Sequence, residues 1–83
     1  MIKVTFLFIR AHAVLNILFP NLTLAYAMAG DVARALEFAE RGAAIDPAGA
    51  GQAFYNVGAI LTNQGDTVGA TQAFQREIGR AHV

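Results

Sequence analysis

Side chains able to carry chemistry are few: His12 and His82, the carboxylates of Asp31, Glu37, Glu40, Asp46, Asp66 and Glu77, and no cysteine. Acid–base catalysis or metal ligation needs several such groups converging on one point. The histidines stand near opposite ends of the chain, so residues 19–77 contain none. Asp31 and Asp66 each follow a glycine and precede an apolar helical pattern, the position of a helix N-cap. Glu37 and Glu40 alternate with Arg34 and Arg41 at helical spacing, a solvated stripe with ion pairs. Gly49 and Gly51 are followed by no Lys-Ser or Lys-Thr and make no phosphate loop. Without cysteine there is neither a disulfide nor a thiolate metal site. The expectation is a chain with no catalytic, cofactor or metal site, and not an enzyme.

Eighty-three residues fit one small domain with a modest core. The formal charge is zero, with six basic residues against six acidic, so no nucleic-acid footprint is present. Hydrophobic residues reach 55%, much of that being alanine, the strongest helix former. An all-helical chain is the first expectation.

Spacing then supplies the plan. Gly30 and Gly65, Asp31 and Asp66, and Ala35 and Ala70 are each 35 residues apart. A fixed period in this range marks stacked repeats. Each Gly-Asp reads as a turn between two helices, the glycine closing one in the left-handed region and the aspartate capping the next. Helices are expected near 21–29, 32–45, 52–64 and 67–77, with Pro20 in a first turn and Asp46-Pro47 ending the second. Leu22, Ala25, Tyr26 and Ala29 form the first apolar stripe, and Ala35, Leu36, Phe38 and Ala39 the second. Phe54, Val57, Gly58 and Leu61 face inward on the third helix, and Ala70, Ala73, Phe74 and Ile78 on the fourth. Ala48-Gly49-Ala50-Gly51 reads as a short connector. Gly69 is expected to be exposed.

These residues resemble the tetratricopeptide repeat. One copy runs Phe19, Leu22, Tyr26, Gly30-Asp31, Ala35 and Pro47; the other runs Phe54, Val57-Gly58, Leu61, Gly65-Asp66, Ala70 and Phe74. In the first copy Thr23 replaces the small glycine and Ala39 the aromatic residue. The likeness covers residues 19–77. It implies an all-α fold of antiparallel helix-turn-helix hairpins stacked as an α-solenoid, with repeats at 19–48 and 51–77, the second truncated. It also implies a scaffold that binds a peptide or protein segment in a helical groove. The positions that grip a C-terminal carboxylate in the family hold Pro20, Leu24, Gln52, Tyr55 and Ala59 here, so that clamp is absent. Asn21 and Asn56 match the family's inner asparagine, which bonds a ligand backbone or pairs locally. The candidate groove is lined by Asn21, Leu24 and Met28 from the first helix, and by Gln52, Tyr55, Asn56, Ala59, Thr62 and Asn63 from the third. Tyr55 is its ligand-facing aromatic residue, and Phe54 belongs to the core. An accessory repeat region of a larger enzyme is the alternative. Similar repeats occur in bacterial envelope and secretion proteins, so cytoplasm and envelope both stay open. Exposed repeat ends at Val68, Phe74 and Ile78 invite self-association.

The two ends depart from this register. Residues 1–18 form an extension of uncertain origin, with no helix breaker across Ala11–Phe19. Its apolar run Val4–Ile9, cut by Arg10, is shorter than the h-region of a signal peptide. Ala11–Gly30 lacks charge and is long enough to span a bilayer, and a small protein anchored through Val4–Ala29 is a further alternative. The repeat accounts for the second half of that stretch better than lipid does. Residues 78–83, Ile-Gly-Arg-Ala-His-Val, leave the repeat pattern and match one translated frame of a common sequencing adapter. They read as a non-native tail.

Overall fold

Two turns of one geometry set the architecture. Gly30 and Gly65 hold φ of +81° and +82°, a region that residues with a Cβ rarely enter. In the first turn the Gly30 N–H donates to Ala27 O at 3.0 Å and the Asp31 N–H to Tyr26 O at 2.9 Å. Thirty-five residues on, Gly65 donates to Thr62 O at 3.0 Å and Asp66 to Leu61 O at 2.9 Å. This is the paired bonding that satisfies the last carbonyls of a helix. Each aspartate then caps the helix that follows: its Oδ1 accepts from Arg34 N at 3.2 Å in one hairpin and from Gly69 N at 2.9 Å in the other.

The chain is described by a computed structural model over residues 2–81, excluding the side chains of residues 2–4, 6, 8, 80 and 81. It forms four α-helices: α1 (Ile2–Met28), α2 (Val32–Ile45), α3 (Ala50–Asn63) and α4 (Thr67–Ala81). No strand occurs among the described residues. Helices α1 and α2 make one hairpin, closed by Tyr26 stacked on Phe38 at 5.5 Å and by Phe19 tilted against Phe38 at 6.0 Å. Helices α3 and α4 make the other, and α3 also packs against α1 and α2. The largest fully buried apolar side chains, Phe54, Val57 and Leu61, all belong to α3. The rest of the buried core is mainly alanine, from Ala27, Ala35, Ala39, Ala43, Ala50, Ala70 and Ala73. Small side chains let the helices approach closely, but each adds little buried area. Gln64 ties the hairpins together, its Nε2 donating to Ala27 O at 3.1 Å and Met28 O at 2.9 Å at the carbonyl end of α1. A second tie joins Arg76 of α4 to Glu40 of α2 at 3.5 Å.

Several sequence expectations are corrected by packing. Pro20 lies inside α1 instead of opening a helix, so the extension and residues 19–28 share one continuous rod. The buried stripe of α1 is Thr23 and Ala27, while Ala25 and Ala29 are exposed. Thr23 satisfies its hydroxyl by donating to Phe19 O at 2.8 Å. Pro47–Gly49 form a 3-10 turn, and α3 already begins at Ala50. Helix α4 continues past Glu77 to Ala81, with Ile78 exposed on it; His82 and Val83 lie outside the described residues. Arg41 pairs with Glu37 at 2.9 Å as expected, whereas Glu40 reaches across to α4.

Gly69 is buried, not exposed, because the first turn of α4 tucks over the start of α2. A Cβ there would fall 2.6 Å from Asp66 Oδ2 and 2.9 Å from Val32 Cγ2. Overpacking of this kind costs about 1–3 kcal/mol, which exceeds the gain of about 1 kcal/mol from helix propensity. Gly69→Ala is therefore expected to lower the urea midpoint. At Gly42, inside α2, a Cβ would meet Phe19 Cβ at an ordinary 3.6 Å. Gly42→Ala should raise stability by roughly 0.5–1 kcal/mol, and the same sign for both variants would refute this packing.

Candidate functional site

Where α1, α2 and α3 meet, the hairpins leave a cleft of about 260 Å³. That volume accepts one large side chain or a short peptide segment, and falls below the range of about 300–1,000 Å³ usual for cofactor-sized ligands. Its floor is Phe38, Ala39, Ala43, Ala50 and Ala53. Its rim is polar, with Asn16 and Pro20 from α1, Asp46 and Gly49 from the connection, and Gln52 and Asn56 from α3.

The rim is rich in acceptors for a local reason. Proline has no N–H, so Pro20 cannot make the helical bond to the Asn16 carbonyl, which is left without its usual donor. The carboxylate of Asp46 adds the only negative charge among the lining residues. Across the opening, Gln52 Nε2 donates to Asn56 Oδ1 at 2.9 Å. That bond holds the two carboxamides side by side on the exposed flank of α3. An apolar floor under such a rim can desolvate one side chain while the acceptors meet backbone N–H groups of an extended segment.

Of the residues expected in the groove, only Gln52 and Asn56 line this cleft. Asn21, Leu24, Met28, Ala59, Thr62 and Asn63 lie outside its lining. Thr62 turns its hydroxyl onto Gly58 O at 2.8 Å. Tyr55 sits on the side of α3 toward α4, its ring 6.0 Å from that of Phe74. It is half exposed but does not line the cleft. The cleft also brings in Asn16 and Asp46, which the sequence reading did not place in a groove. The signal for Asn16 was a proline four residues downstream, once that proline is placed inside a helix.

Gly58 packs against Phe74 of α4. A Cβ at Gly58 would lie 2.4 Å from Cε1 of Phe74, so the ring occupies the space a side chain would need. The first hairpin reverses the sizes, with Thr23 at the glycine position and Ala39 at the aromatic one, both buried beside the cleft. Small-opposite-large is thus kept in both hairpins, and the cleft lies beside the reversed one. Among the described residues, no group of three His, Asp or Glu side chains is placed to hold a metal ion. No protein-family model, curated protein or solved structure matches the chain.

Proposed function

We propose that the chain is a helical-repeat interaction module of the tetratricopeptide kind, a short solenoid that holds a segment of a partner protein. The observation that carries this reading is the cleft between the hairpins, apolar at its floor and acceptor-rich at its rim. The recurrence of one turn geometry at a 35-residue offset supports the solenoid part. The preferred segment is uncharged or basic, with one apolar side chain entering the cleft, since Asp46 disfavours an acidic ligand.

Selection of random displayed peptides against the immobilised chain tests this. Enriched peptides should share one large apolar residue, with few acidic neighbours. Ala53→Trp fills the cleft and is expected to weaken their binding at least about tenfold, the scale of one lost hot-spot side chain. Tyr55→Ala should leave binding unchanged. If no peptide is enriched, or if Tyr55→Ala weakens binding while Ala53→Trp does not, the cleft is not the site.

A further inference from the structure

Helix α1 has 27 residues and α2 only 14, so the first half of α1 has no length of α2 beside it. This overhang, through about residue 14, extends for ~20 Å. It carries the exposed side chains Leu7, Ile9 and Val14, and Ile17 and Leu18 are exposed just beyond it. They do not form one stripe. At the helical repeat, Leu7, Val14 and Leu18 share one flank, and Ile9 and Ile17 another. A helix that is apolar on several sides belongs inside a large core or in lipid. One partner groove, or one second copy of the chain, could cover only one of these flanks.

Charge favours the same occupant. Residues 1–30 hold Lys3 and Arg10 and no acid; all six acidic residues lie from Asp31 onward. A basic apolar segment ahead of an acidic body complements an anionic lipid surface. The window Ile9–Met28 is long and apolar enough to cross a bilayer. However, its second half is packed along α2, whose exposed Arg34, Glu37 and Arg41 would enter the hydrocarbon with it. Intramembrane charge of that kind is costly. The fold therefore permits docking by the overhang alone, with Arg10 reaching to the headgroups.

We propose that the N-terminal overhang of α1 docks the protein on anionic membranes, leaving both hairpins in water. This revises the expectation from sequence, which set lipid aside because the repeat claimed the second half of the apolar stretch. The hairpins do claim that half, and they leave the first half uncovered.

The chain contains no tryptophan, so Leu7→Trp and Val68→Trp provide single reporters on two exposed apolar sites. Full-length variants would be mixed with vesicles of phosphatidylcholine alone and of phosphatidylcholine with phosphatidylglycerol. Leu7→Trp should shift to the blue on the anionic vesicles and be quenched by brominated lipid, while Val68→Trp on α4 stays unquenched. Arg10→Gln should reduce partitioning roughly fivefold, and added salt should weaken binding of the parent chain. Absence of quenching at Leu7→Trp, or equal quenching at both sites, overturns the proposal. So does equal partitioning into neutral and anionic vesicles, or self-association that competes with vesicle binding.

Discussion

Phe54→Ala is expected to remove a large share of the stability of the chain. Phe54 is fully buried at the centre of α3, the helix that touches all three others. Removing a buried phenylalanine costs about 3–5 kcal/mol. A chain of 83 residues has a total stability of roughly 4–12 kcal/mol at typical values per residue. One substitution therefore takes a large share of what holds the hairpins together, and the alanine-rich remainder of the core has little apolar area to compensate. The adjacent aromatic residue is the control. Tyr55 is 51% exposed, with its ring 6.0 Å from that of Phe74 at the edge of the core. Tyr55→Ala should cost about 0.5–1.5 kcal/mol, the scale of an aromatic pair. Urea unfolding followed by far-ultraviolet circular dichroism would separate them. Equal losses at the two positions would mean that α3 is rotated from the orientation described.

The second large effect is expected at Gly58. Gly58→Leu should destabilise by about 1–3 kcal/mol through overpacking against Phe74, despite the gain in helix propensity of roughly 1 kcal/mol. The opposed signs allow a sharper test. In a Phe74→Ala background the ring is gone, and Gly58→Thr then rebuilds in the second hairpin the Thr23–Ala39 pairing of the first. The double variant should be more stable than the sum of the single changes predicts, with a coupling between about 0.5 and 3 kcal/mol. Additive effects would show that Gly58 and Phe74 do not share one space.

The same pair shows why the candidate site was only partly legible. Both size departures, Thr23 and Ala39, are plain in the sequence. Their consequence is not, because a cavity arises only where helices of different hairpins fail to fill the space between them. The orientation of α3 turns Tyr55 toward Phe74, and of the expected groove residues Gln52 and Asn56 reach the cleft. Asn16 was placed in the uninterpreted extension, and it entered the site because α1 runs unbroken through Pro20.

What the sequence determined by itself is local. The Gly-Asp turns follow from a left-handed backbone requirement and a capping carboxylate within a few residues of each other, and both hairpins realise them with matching bonds. The inward faces of α2 and α3 follow equally from periodicity, because a helical repeat fixes which side chains share a flank. The tertiary structure alone decided that Gly69 is buried against Val32, that Gly58 holds a ring, and that the first half of α1 runs beyond the end of α2. Each of these depends on the distance and rotation between helices far apart in the chain. Those are set by the packed volumes of all the side chains between them, and no single stretch of sequence carries that sum.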